Sequence, residues 1–227
     1  MTKKELLSLL KNKECIDELI DLMDSTLSMN EKFNLTAITD KDKFLELMIY
    51  DSIVPSSHVD FDNKKILDVG TGAGFPGLPL AICTKGNFDL LDSTKKKIDY
   101  INDYVIKHNI NNVKAYSDRA ESFANTHRET YDYVIARAVA SLPILIELCI
   151  PMVKVGGYFL AMKSNKSDEE INLSKNALKK LDCEVVNSYV DVLPCSKETR
   201  TLIVIKKNKP TNKKYPRSFD QIKSKTL

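Results

Sequence analysis

Along the first 57 positions apolar residues recur at helical spacing, first as Ile16, Leu19, Ile20, Met23 and Leu27, then as Phe44, Leu45, Met48, Ile49 and Ile53. No glycine interrupts this segment, and Thr39 with Asp42 three residues later predicts a cap for the second helix. From Lys64 the pattern changes to short apolar runs, which predict strands at Lys65–Val69, Phe88–Asp92, Val113–Tyr116, Tyr131–Ala136, Tyr158–Met162, Glu184–Val192 and Thr201–Lys206. Helical patterns at Gly77–Cys83, Lys95–His108, Ala120–Asn125 and Leu142–Met152 separate the first five. Such alternation predicts βαβ units and a mainly parallel, doubly wound sheet. After a further helical stretch, Asp168–Leu181, only Leu193–Glu198 joins the last two runs, which predicts an antiparallel pair. The chain thus divides into a helical extension (1–57), an α/β domain (58–206) and a short tail (207–227).

Composition narrows the class without naming it. Two hundred and twenty-seven residues, 43% of them hydrophobic, suit one ordinary domain and exclude collagen, low-complexity and disulfide-scaffold classes. The five cysteines are odd in number and never spaced Cys-x-x-Cys, and the three histidines lie far apart, so no disulfide framework or metal site is expected. The opening apolar run is too short for a signal peptide, and Pro143 and Glu147 interrupt the most apolar stretch, so no membrane association and a cytoplasmic location are expected. Net charge is only +3, but its distribution is uneven. Residues 206–227 carry eight basic groups against Asp220, or +7, leaving 26 basic and 30 acidic groups in the preceding 205 residues. A basic end on a near-neutral body suits a phosphate-backbone partner, or equally a solvated terminus.

Four of the seven glycines, Gly70, Gly72, Gly74 and Gly77, fall within eight residues, in Ile66-Leu-Asp-Val-Gly-Thr-Gly-Ala-Gly-Phe-Pro-Gly77. The segment runs from a predicted strand into a predicted helix, where glycines permit a tight turn and close backbone approach to a ligand. Asp92 follows Gly72 by 20 residues, a spacing that suits acceptance of hydrogen bonds from a ribose diol. Either a nicotinamide dinucleotide or S-adenosylmethionine fits this chemistry. Two features favour the latter. Asp68, on an otherwise apolar strand, can pair with an ammonium but would repel a pyrophosphate, and the predicted antiparallel ending is typical of methyltransferase sheets.

Longer motifs make the resemblance specific. Asn30-Glu-Lys-Phe-Asn-Leu-Thr-Ala-Ile38, Asp51-Ser52, the loop Asp68–Leu80, Leu90-Leu-Asp-Ser93 with Lys96-Lys97, Arg119-Ala-Glu121, Ala136-Arg-Ala-Val-Ala140, Gly156-Gly157, Lys163, Arg200 and Lys214-Tyr-Pro-Arg217 together resemble the RsmG family, also called glucose-inhibited division protein B. The resemblance runs from about residue 30 to the end. It implies a class I, Rossmann-like methyltransferase fold with a seven-stranded, mostly parallel sheet and an antiparallel last strand. By motif it assigns S-adenosylmethionine contacts to Gly70, Phe75, Ala120, Glu121 and Arg137, beside Asp68, Gly72 and Asp92 from the local pattern. Phe75 would form an apolar wall, Glu121 would accept from the adenine amine, and Arg137 would stand at the crevice mouth. The implied reaction is methylation of guanine N7 in the 530-loop region of 16S ribosomal RNA, with naked RNA, the small subunit or an assembly intermediate as partner and a monomeric enzyme.

The implied chemistry needs little from the protein besides placement. Guanine N7 carries a lone pair and no proton, so no general base, nucleophile or obligate acid–base pair is expected. The position after the fourth strand reads Ala136-Arg-Ala-Val-Ala-Ser-Leu-Pro143, not the Asn/Asp-Pro-Pro-aromatic motif of exocyclic-amine methyltransferases. Cys195 follows Pro194 but lies after the sixth strand, so it is read as a turn residue and not a nucleophile. In the tail, eight basic groups (Lys206, Lys207, Lys209, Lys213, Lys214, Arg217, Lys223 and Lys225) are candidates to neutralise phosphates, and Tyr215 to stack on a base. The chain departs from the family's pattern at Met48, where histidine is usual, at Ser164, where glycine is usual, and at Ser218–Lys223, which lacks a Pro-Gly-Thr-Pro stretch. Two rivals stay open at this point, a nicotinamide oxidoreductase and a catalytically silent RNA-binding protein on a methyltransferase fold.

Overall fold

A computed structural model describes residues 1–10, 13–164 and 167–227. Helix α1 (Lys3–Leu9) starts from a reciprocal cap between Thr2 and Glu5, and α2 (Ile16–Asn30) buries Ile16, Leu19, Leu22 and Met23. Asn30 then accepts from the backbone of Leu35 and Thr36 at 2.7 and 2.9 Å, which orders the polar connection. The next helix begins one residue later than the pattern predicts. Asp40, not Thr39, caps α3 (Lys41–Phe44) by accepting from the Lys43 amide at 2.8 Å. A π-helical stretch, Leu45–Tyr50, then leads into α4 (Asp51–Ile53) and a 3₁₀ turn, Val54–Ser57.

The α/β part runs β1 (Lys65–Val69), α5 (Gly77–Cys83), β2 (Asn87–Asp92), α6 (Lys95–Lys107), β3 (Val113–Ser117), α7 (Ala120–Thr126), β4 (Tyr131–Arg137), α8 (Leu142–Cys149), β5 (Val153–Lys163), α9 (Ser167–Leu173), α10 (Lys175–Lys180), β6 (Cys183–Val192), β7 (Thr199–Lys207) and α11 (Phe219–Ser224). The seven strands lie in the order β3-β2-β1-β4-β5-β7-β6. Strands β1 to β5 pair in parallel, and β7 is antiparallel to both β5 and β6. Strand order reverses between β1 and β4, so a crevice opens beyond their carboxyl ends.

Alternation along the strands fills both faces of the sheet. Ile66, Ile135 and Leu160 point into a core shared with α2, α5, α6 and the π-helical stretch, while Leu67, Val134 and Phe159 join α7, α8, α10 and α11 on the other side. The helical extension therefore packs on the sheet, with Thr26 and Tyr100 sharing a buried hydrogen bond of 2.7 Å.

Two predicted spans change. β5 begins at Val153, five residues early, because Gly156 takes a left-handed φ of +82° and lets the strand continue through an irregular start. The helix expected over Asp168–Leu181 breaks at Ser174, whose hydroxyl bonds back to the Glu170 carbonyl at 2.7 Å.

The largest correction concerns the basic end, which is docked to the body. Arg128 donates to the carbonyls of Thr211, Asn212 and Tyr215. Lys207 is fully buried, 3.1 Å from Glu129 and bonded to the carbonyls of Ile150 and Val153. Lys209 lies 3.1 Å from Asp182. Arg217 grips the fully buried Glu147 in a fork, Nε to Oε1 at 2.8 Å and Nη2 to Oε2 at 2.6 Å. Tyr215 is buried beneath this segment, so it cannot stack on a base, and Lys207 and Arg217 spend their charge on the carboxylates of the body, while Lys209 pairs with Asp182 at the exposed surface. Lys213, Lys214, Lys223 and Lys225 remain exposed.

Candidate active site

β1 delivers Asp68 and then the glycine loop to the crevice at the switch point. Asp68 is fully buried. Its Oδ2 accepts from the Thr71 hydroxyl at 2.7 Å and the Gly77 amide at 2.9 Å, so it stitches the start of the loop to the start of α5. Its Oδ1 is buried without a hydrogen-bond partner. Burial pushes the Asp68 carboxyl up to about 6, against the bonds from Thr71 and Gly77 and the charge of Arg137, which pull it down. Asp68 lines neither of the cavities described below. Its position is that of a residue holding the loop from below, away from the cavities, whereas the sequence suggests a carboxylate able to pair with an ammonium.

Gly70 and Gly72 have φ of +73° and +61°. A Cβ on Gly70 would come within 2.4 Å of the Val139 side chain, which lies across the loop, whereas a Cβ on Gly72 would project into open space with nothing within 4 Å. The Gly72 amide donates to Asp92 Oδ2 at 3.0 Å, and Asp92 Oδ1 accepts from Thr94 at 2.8 Å. The ends of β1 and β2 are thereby tied together, and the Asp92 carboxylate stays at the cavity wall.

Two cavities meet at Gly70 and Ala138, which line both. The smaller, about 350 Å³, gathers Asp92, Ala120 and Glu121 with Asp118 and Arg119 over an apolar floor of Val69, Leu91 and Leu148. The larger, about 630 Å³, gathers Gly72, Phe75 and Arg137 with Asp51, Lys163 and Arg200. Seven of the eight residues singled out from the sequence therefore line this double cleft, and Asp68 lies beneath it. Phe75 is almost wholly buried, its ring edge-on to Phe44 at 5.6 Å, so it presents only a small part of its surface.

Arg137 lines the larger cavity at the end of β4 and is held there by neighbours. Its Nη1 donates to Asp51 Oδ2 at 3.1 Å and to the Leu47 carbonyl at 3.2 Å, and its Nη2 points at the Met48 sulfur, 3.7 Å away. Asp51 also faces Arg200 Nε at 3.2 Å, which makes a buried carboxylate flanked by two arginines. Asp51 and Arg200 sit in recognised motifs, but the sequence alone attaches no role to them; only the fold brings α4 and β7 to the end of β4. Lys163 donates to the Ala140 carbonyl at 2.8 Å and pairs with Glu170 at 2.7 Å, while Glu170 accepts from the Leu142 amide. The loop after β4, with Ala138 at φ +56°, is pinned across the cleft by these contacts.

The donor set suits S-adenosylmethionine better than a dinucleotide. Three carboxylates, Asp92, Asp118 and Glu121, face the smaller cavity against the single Arg119, a field that repels a pyrophosphate. The open space over Gly72 leaves room for a ligand to approach the backbone of the loop. Among the described residues no cluster of histidine, cysteine, aspartate or glutamate could hold a metal ion.

Sheet order, switch-point loop and double cleft define the class I methyltransferase fold. Among solved structures, an S-adenosylmethionine-dependent methyltransferase from Aquifex aeolicus superimposes with a TM-score of 0.55 at 18% identity, covering 79% of this chain and 97% of that one. Sequence relatives go further. The family model described as rRNA small subunit methyltransferase G matches residues 15–203. "Ribosomal RNA small subunit methyltransferase G" of Bacillus pumilus is 45% identical over 192 residues, 83% of this chain and 80% of that one. The protein of the same name from Listeria welshimeri is 42% identical over 201 residues, 87% and 84% of the two chains. The chain belongs to the ribosomal RNA small subunit methyltransferase G family.

Proposed function

We propose that this protein transfers a methyl group from S-adenosylmethionine to N7 of a guanine in 16S ribosomal RNA, in the 530-loop region, acting in the cytoplasm as a monomer. The observation that carries the reading is the double cleft at the switch point, in a chain whose relatives bear the rRNA methyltransferase name.

The smaller cavity is the site for the adenosine portion. Asp92 accepts from the ribose hydroxyls, Glu121 from the adenine amine, and Val69, Leu91 and Ala120 form the apolar floor under the purine. Gly70 and Gly72 let the backbone approach the ligand, and Asp68 keeps that loop in shape from below. The bound cofactor supplies an electrophilic methyl group on a sulfonium. Phe75 and Arg137, the other cofactor contacts assigned by motif, face the larger cavity, where the methionine end of the cofactor meets the entering guanine. Arg137 and Arg200 are held by Asp51, so their donors are oriented before RNA arrives, which lowers the reorganisation needed on binding. N7 needs no base to expose its lone pair, so the residues of the cleft act by alignment and by exclusion of water. The choice among naked RNA, an assembly intermediate and the small subunit is tested by offering each, prepared from a strain lacking the gene, with labelled cofactor.

A further inference from the structure

Phe219, a lining residue of the cavity assigned above to adenosine, lies outside every sequence motif of the family resemblance. It is the first residue of α11 and lines the cavity beside Leu148 of the apolar floor and Val139 of the loop after β4. Phe219 lies in Ser218–Lys223, where the chain departs from the closing Pro-Gly-Thr-Pro of the family pattern.

The ring is held there by more than its own packing. A six-residue helix has little stability alone. α11 is fixed instead by Ile222, fully buried in the α8-side core, and by a reciprocal cap between Ser218 and Gln221. Arg217 immediately precedes it, clamped on Glu147 and donating also to the Lys225 carbonyl at 2.9 Å. Glu147 and Leu148 are adjacent on α8: one holds the C-terminal segment and the next lines the cavity. One turn of α8 thus both anchors the segment and lines the cavity.

We infer that the C-terminal segment is part of the cofactor site, with Phe219 as an aromatic wall against the adenine of S-adenosylmethionine. The inference rests on the proposed assignment of this cavity. An aromatic face beside carboxylates that can accept from an amine suits a purine, because ring contact and edge recognition come from different sides. The segment then contributes to cofactor affinity independently of its lysines.

The chain contains no tryptophan, so Phe219→Trp introduces a unique fluorophore at the proposed contact. Titrating the full-length variant with S-adenosylmethionine is expected to change indole emission saturably, with the Kd that calorimetry gives for the same protein. Phe219→Ala is expected to weaken cofactor binding about ten-fold, or about 1.4 kcal/mol, while Phe219→Leu recovers most of the affinity. Melting temperatures of all three should stay near that of the parent, since the ring is only half-buried. The inference is overturned if the parent binds S-adenosylmethionine but Phe219→Ala binds as tightly, or if the indole is silent while calorimetry registers binding. If the parent itself fails to bind, the assignment of the cavity fails and the inference with it.

Discussion

Asp68 combines three properties that make its replacement informative: complete burial, one oxygen bonded to Thr71 and Gly77, and another with no hydrogen-bond partner. Its pKa rises from 3.8 to about 6 on folding. Between those values the native state holds a proton that the unfolded chain has released, so stability falls as pH rises. A difference of about two units corresponds to about 3 kcal/mol, nearly all of it present by pH 7 and absent well below pH 4. Asp68→Asn preserves an acceptor for Thr71 and Gly77 but cannot ionise. Its absolute stability also reflects a buried amide without a partner, so the useful quantity is the pH dependence of the difference between parent and variant. Urea unfolding of both proteins from pH 4 to pH 8 is expected to show the variant gaining on the parent by about 2 kcal/mol between pH 4 and 6, then levelling. A difference that is flat across this range, or one that moves the other way, would refute the claim that the loop is stitched by a carboxylate resisting ionisation.

The same geometry sets expectations elsewhere in the molecule. Gly72→Val should weaken S-adenosylmethionine binding at least ten-fold in calorimetry, because φ of +61° strains a β-branched residue and its side chain would fill the open approach. Arg217→Ala leaves the fully buried Glu147 without its fork and should cost about 3 kcal/mol or more, read as a lower midpoint in chemical denaturation, whereas Lys223→Ala should be close to neutral. Replacing Lys213, Lys214, Lys223 and Lys225 together by alanine should leave cofactor affinity intact and flatten the salt dependence of RNA binding. The log–log slope should fall by about 0.7 for each phosphate of single-stranded RNA that is no longer neutralised. An unchanged slope would mean that these lysines face solvent only.

Most of the sheet was legible because each of β1 to β5 couples a short apolar run to a following helix, and Leu193–Glu198 is too short for a crossover between β6 and β7. Gly70, Gly72 and Asp92 were equally legible: a turn with positive φ requires glycine, and the acid stands at the end of the neighbouring strand. The rest depended on contacts between distant residues. The count of eight basic groups at the C-terminal end could not reveal that Lys207 meets Glu129 or that Arg217 meets Glu147, because pairing is decided by the fold. The motif of Arg137 places it at the crevice mouth, but its partner stays hidden for the same reason, since Asp51 reaches it only once α4 packs beside β4. Phe219 carried no signal at all, being one aromatic residue in a polar stretch.

The central claim is tested most directly by methyl transfer itself. Purified protein is incubated with labelled S-adenosylmethionine and small subunits, or their RNA, from a strain lacking the gene, and the modified base is then mapped. The expected result is label at a single 7-methylguanosine in the 530-loop region of 16S RNA. Label on an exocyclic amine, a ribose or another RNA, or no transfer to any of these substrates by protein that binds the cofactor, would contradict it.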